Sequence, residues 1–168
     1  KLIRVPREYA VALETALGGA MQYVVVDSEE AAKAAIRMLK QRDSGRATFL
    51  PLTTTNGRVI NSREIEDAPG YVGIASELCS CDPQYNGVRD SLLGRTVVAE
   101  DLDSAAAIAK RAGYRYKVVS LDGQGDVGAL GGRLLAGRDL TIIGIFNNDC
   151  IGSNAAAATA AGAVLLPG

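Results

Sequence analysis

ALGGAMQYVVVDSEEAAKAAIRMLK (residues 16–40) runs on into GRATFLPL (residues 45–52), and the reading of these two stretches decides the fold. A Gly-Gly pair is followed by an apolar run at 21–26, an acidic cap, an alanine-rich segment, a glycine break and a second apolar run at 47–50. That order predicts turn, strand, helix, strand. An unbroken apolar run suits a strand covered on both faces. Asp27 or Ser28 caps the helix, which extends to about residue 40. Glu29 and Glu30 fall in its first turn, and Arg37 and Lys40 near its end, as the helix dipole favours. Ala32, Ala35, Ile36 and Leu39 are the expected inward stripe. Ser44-Gly45 breaks the helix and Pro51 stops the next strand. No nucleophile, metal-ligand cluster or phosphate loop sits in these residues. They are built to hold a shape.

Outward from this unit, residues 5–17 carry a helical pattern, with Tyr9, Leu13 and Leu17 spaced by four. Gly18-Gly19 ends it, because glycine takes the left-handed cap conformation cheaply. Residues 53–67 are polar and weakly patterned, a long loop with room for a short helix. Pro69-Gly70 is a turn signal ahead of a strand at 71–76. Residues 82–93 read as a helix with Pro83 at its first position. Then the opening plan returns: a strand at 95–99, and a capped helix at 101–112 with Leu102, Ala105, Ala106 and Ala109 inward. Gly113 closes it before a strand at 116–121. Two similar strand–helix–strand halves predict a mixed α/β (α+β) architecture, and helical crossovers favour parallel pairing.

Bulk composition narrows the function. The 168 residues are 48% apolar and 22% charged, with only 5% aromatic residues and no Trp. This is a globular chain whose core must be Val, Ile, Leu and Ala. With a net charge of −1, nucleic-acid contact has to come from a local patch. There is no His, which removes the commonest general base, Ser-His-Asp and Cys-His arrangements, and most zinc sites. Cys79, Cys81 and Cys150 are sparse and odd in number, pointing to a reducing cytoplasm. Cys79 and Cys81 share a face if their segment is a strand, yet two further metal ligands are lacking, so they read as ordinary thiols. No metal, cofactor or membrane contact is expected. The chain starts mid-protein in character, so it reads as an excised domain.

Three groups of residues invite a functional reading. The glycine-rich run 122–137 follows a strand, and Gly123, Gly125 and Gly128 suit a phosphate cradle. The spacing is not G-x-x-x-x-G-K-[ST], however, and no Lys or Ser follows. A turning loop, or glycines that admit another backbone, fits the same residues. Glu29, Glu30, Glu100, Asp101 and Asp103 look like candidate acid pairs, but dipole compensation accounts for them. Lys1, Arg4 and Arg7 form one basic group; Lys110, Arg111, Arg115 and Lys117 form another beside Tyr114 and Tyr116. Alternation over 114–117 would put both tyrosines on one strand face and both cations on the other. Clustered cations suffice for phosphate-backbone contact, and a solvated face explains them equally.

VPREYAVALETALGGAMQYVVVDSEEAAKAAIRML, GRATFLPL, PGYVGIASEL, LLGRTVVAEDLDSAAAIAK and YRYKVVSLDG, in this order, resemble the hinge domain of bacterial or archaeal structural maintenance of chromosomes (SMC) proteins. The resemblance covers residues from about 5 to 123. It implies a hinge at 1–138, with subdomains at about 5–68 and 69–138 that form a half-ring, and an atypical segment at 139–168. It implies no enzyme activity in the hinge, which would sit far from an ATPase head. Two copies would form a homodimer, edge strand to edge strand, with glycines where backbones meet. Gly123, Gly128, Gly131, Gly132 and Gly137 are the expected interface glycines, with Tyr71, Val72, Ile74, Val118 and Val119 as apolar surface. Weak, non-specific DNA contact would fall to Lys1, Arg4, Arg7, Arg115 and Lys117. The full-length protein would be cytoplasmic and nucleoid-associated, would bind ATP and a kleisin-type partner, and would support chromosome condensation and segregation. The runner-up is a small nucleotide- or metabolite-binding enzyme domain using loop 123–137. The family's TGG is altered here, with Leu135 and Ala136 before Gly137. Residues 139–168 have no heptad repeat; a strand at 141–146 and a helix at 155–161 are expected there.

Overall fold

The computed structural model describes residues 2–123 and the backbone of residues 145–146. Lys1, Gly128, Gly131, Gly132, Gly137, Cys150, loop 124–137 and the helix expected at 155–161 lie outside the described residues.

The chain opens with the short strand β1 (Ile3–Arg4) and a 3-10 turn leading into α1 (Ala10–Leu17). Gly18, at φ +49, ends α1 as expected. A second 3-10 turn, Gly18–Gln22, then takes up residues expected in the strand, so β2 is only Val24–Val26. Next comes α2 (Glu29–Arg42), where the Ser28 hydroxyl accepts from the Ala31 amide at 3.2 Å. Asp43, in the left-handed conformation, caps its other end one step before the expected glycine break. β3 (Phe49–Pro51) pairs parallel with β2. Pro51 belongs to this strand rather than stopping it, which an edge strand tolerates because one side needs no N–H donor. Val25 and Val26 also pair, parallel, with β8 (Ile145–Phe146), within the strand expected at 141–146.

The second half contains β4 (Tyr71–Ile74), β5 (Ser80–Cys81) and α3 (Asn86–Leu93), the last preceded by a 3-10 turn at Pro83–Tyr85. It continues with β6 (Thr96–Ala99), α4 (Leu102–Arg111) and β7 (Lys117–Ser120). Its sheet has the order β4-β6-β7, antiparallel then parallel, so each half carries a parallel crossover pair in a sheet of its own. β1 pairs antiparallel with β5, tying the start of the chain to the second half.

Side-chain alternation divides the core into three layers. Val24 and Val26 pack under Ala31, Ala32 and Ala35 of α2. Val97, Ala99 and Val118 pack under Ala105, Ile108 and Ala109 of α4. The opposite faces of both sheets, through Val25, Val98 and Val119, share one cluster with Leu13, Ala16 and Leu17 of α1 and with Leu93 of α3. α1 is therefore the wedge between the halves. Two expected inward stripes need correction. Ile36 is 50% exposed, its place taken by Ala31; Leu102 is 45% exposed and Ala106 is exposed too, with Ile108 buried instead. All three lie one helical step off the buried face.

Segment 53–70 is a strap across the second half rather than a free loop. The Ile60 amide donates to the Gly94 carbonyl at 2.9 Å, and Ile65 is buried among the α4 cluster. A Cβ at Gly57 would fall on the Ser91 backbone, and one at Gly94 would meet the Asp90 and Arg58 carbonyls. Here glycine is required by close backbone approach, not by a turn.

Candidate functional site

The second sheet leaves the outer sides of β4 and β7 without a partner strand among the described residues. An open edge is a row of N–H and C=O groups ready to pair with another chain. The β4 edge is irregular: its register shifts between Tyr71 and Gly73 against β6. Tyr71 and Val72 are half-buried, Tyr71 against the α4 cluster and Val72 against the α1 cluster. Ile74, Val118 and Val119 were expected at a surface but are buried in their own core, with Val118 under α4 and Val119 under α1. Continuous apolar strands covered by helices on both faces leave only the main chain to meet a partner. Gly123 stands at φ +70 in the turn after β7, where a Cβ would meet Val11 and Thr15 of α1.

The expected cation groups are largely committed. Tyr114 sits at φ +55 in a turn and β7 begins only at Lys117, so the alternation expected over 114–117 does not form. Arg115 is ion-paired with Glu64 and donates to the Ala112 carbonyl at 2.8 Å; the Glu64 carboxylate raises its pKa further. The Lys117 ammonium donates to the Ala16 carbonyl at 2.8 Å, at the end of α1. It therefore joins the halves rather than facing a polyanion. Arg4 pairs with Asp82 at 3.2 Å. Arg7 is exposed and has no ion pair among the described residues. Replacing Lys117 by Met is expected to lower stability by about 1–2 kcal/mol, since a charged donor to a helix-end carbonyl is lost. An unchanged urea midpoint would remove its latch role.

The carboxylates behave as caps and pairs. Asp101 accepts from the Ser104 amide at 2.7 Å, which lowers its pKa. Glu29 is lowered by the Lys33 ammonium 2.7 Å away. Cys79 and Cys81 do not share a strand face, because β5 holds only Ser80 and Cys81 and Cys79 lies in the preceding turn. Both are free thiols. Burial pushes Cys79 from 9.0 up to about 11. The folded state thus keeps a proton that the unfolded chain sheds above its ordinary value. That contribution to stability is full below about 9 and lost as pH climbs through about 11. At pH values between the two, iodoacetamide is expected to modify Cys79 far more slowly in the folded protein than in urea. Equal rates by mass spectrometry would contradict its burial.

Missed by sequence reasoning were the strap glycines, the Lys117 latch, and the cations Arg37, Lys40, Arg42 and Arg46 at the end of α2. Helix-dipole compensation explained Arg37 and Lys40 too readily for them to attract notice.

Two crossover units wedged apart by one helix, with open sheet edges, define a shape-holding α/β module. The chain belongs to the SMC hinge family. The family model for the SMC proteins flexible hinge domain matches residues 1–109. The chain is 44% identical over 140 residues to the chromosome partition protein Smc of Bacillus subtilis, covering 82% of this chain and 12% of that protein. The hinge domain of Geobacillus stearothermophilus SMC, solved as an asymmetric dimer, superposes with a TM-score of 0.73 at 49% identity, covering 81% of this chain and 58% of that one. The Pyrococcus furiosus SMC hinge domain gives 0.60 at 27% identity, with 82% and 75% covered. The alternative of a nucleotide- or metabolite-binding enzyme domain is not supported: the hinge is a non-catalytic domain of its family. No described helix is long and apolar enough to cross a membrane.

Proposed function

We propose that this domain pairs with a second copy of itself as the hinge of a chromosome-partition protein. The observation that carries this is the open edges of the second sheet, in a chain 49% identical to a hinge that crystallised as a dimer. Exposed main-chain groups of β4 and β7 accept a partner's backbone by strand addition. Gly123, Gly128, Gly131, Gly132 and Gly137 are the positions where backbones meet, and Tyr71 and Val72 flank one edge. The unit at 69–138 would present these edges on a half-ring completed by the unit at 5–68, with 139–168 as a terminal segment whose residues 145–146 add to the first sheet beside β2. A stable pairing needs at least about 1,000 Å² of buried surface.

In the full-length protein, an ATPase head and a kleisin-type subunit are the proposed partners, acting in the cytoplasm on the nucleoid. A weak, salt-dependent DNA contact is proposed through the Lys1, Arg4 and Arg7 end, where Arg7 has no ion pair among the described residues. The commitments of Arg115 and Lys117 argue against a strong contribution from them.

Sedimentation at micromolar concentration is expected to show a dimer. Replacing Gly131 and Gly132 together by Arg should weaken pairing at least about tenfold. A strict monomer at all concentrations, with and without residues 139–168, would overturn the pairing.

A further inference from the structure

The far end of α2 carries an arrangement that pairing does not use. Its last turn and the 43–47 turn enclose an open groove of 520 Å³. Ile36, Leu39 and Ala47 give the groove apolar lining; Lys40, Arg46 and Asp43 give it charge. Ile36 is half exposed. Ile36 shares the groove with Leu39 and Ala47 rather than standing alone, and an apolar patch rimmed by charged groups marks an interaction surface. Arg37, Lys40, Arg42 and Arg46 are all exposed, and none has an ion pair among the described residues. In a chain of net charge −1, this is a local concentration of positive potential.

We propose that this groove receives an acidic peptide segment of a protein partner, held by one bulky apolar side chain. The apolar anchor lies on Ile36, Leu39 and Ala47, and the flanking carboxylates meet Lys40 and Arg46. This is the usual division between a desolvated anchor and a charged rim. Asp43 decides between a peptide and a nucleic-acid backbone. A peptide offers main-chain N–H donors to its carboxylate as well as carboxylates to the cations. A duplex backbone offers the groove only acceptors, which Asp43 repels, and has no use for Ile36. The groove lies on the α2 side of the first sheet, whereas pairing uses the edges of the second, so either reading can fail alone.

The test is panning of a random-peptide phage library on the intact domain, followed by fluorescence anisotropy with an enriched peptide. Enriched sequences are expected to combine acidic residues with one bulky apolar residue. Their binding should weaken with salt and fall at least about tenfold in Ile36→Glu and in Arg46→Glu. Both positions are exposed, so the variants keep the fold, which circular dichroism and sedimentation verify. Enrichment without a shared pattern would overturn the proposal, as would binding indifferent to Ile36→Glu. A short DNA duplex that binds with Arg46 dependence, displaces the peptide and ignores Ile36→Glu would assign the surface to nucleic acid instead.

Discussion

Leu13→Ala is expected to lower the unfolding free energy by about 3 kcal/mol, within the range for truncating a fully buried leucine. Leu13 is 0% exposed, and it sits on α1 where the cluster joins Val25 of the first sheet to Val98 and Val119 of the second. The cavity therefore opens between the halves, not inside one of them. Neither sheet can collapse into it without dragging its covering helix, so relaxation recovers little of the loss. A urea titration should show the midpoint falling with an unchanged slope. Val11→Ala, two residues away and half exposed on the other side of α1, is the control and should move stability by less than about 0.5 kcal/mol. A Leu13→Ala loss no larger than the control's would mean that α1 is not the wedge.

The difference between these two positions shows what was legible in the chain. The four-residue spacing of Tyr9, Leu13 and Leu17 marked α1 as a helix, and the apolar runs marked β2, β6 and β7 as strands, β2 as one covered on both faces. Those signals are local, and the fold follows them. The placing of α1 against both sheets at once is a tertiary fact that periodicity does not encode. The candidate site suffered for the same reason. Val118 and Val119 were recognised as strand residues, yet a strand's apolar residues look alike whether they face a partner or their own helices. Arg115 and Lys117 looked like free cations because Glu64 and the Ala16 carbonyl, their partners, lie 51 and 101 residues away in sequence.

The strap offers the sharper case, because Asn56-Gly57 carries a turn signature in sequence, whereas the structure calls for glycine there through close backbone approach. Gly57→Ala is expected to cost about 2–3 kcal/mol, the cost of forcing atoms into a packed contact. The new methyl group would fall on the Ser91 backbone in α3. A helix backbone cannot give way as the tip of a side chain can. The easier response is for the strap to lift. Lifting breaks the Ile60–Gly94 hydrogen bond at 2.9 Å and loosens the segment that seats Ile65 under α4. It also releases Asp67 from Arg111, 2.7 Å away, and Glu64 from Arg115. Arg115 would then be freed as a surface cation. Hydrogen exchange in Gly57→Ala should therefore rise over residues 53–68, while the β6–β7 amides keep their protection. Gly19→Ala meets open space and serves as the control, with no such pattern expected. If Gly57→Ala is as stable as the parent and the strap keeps its protection, close backbone approach is not what holds glycine at this position.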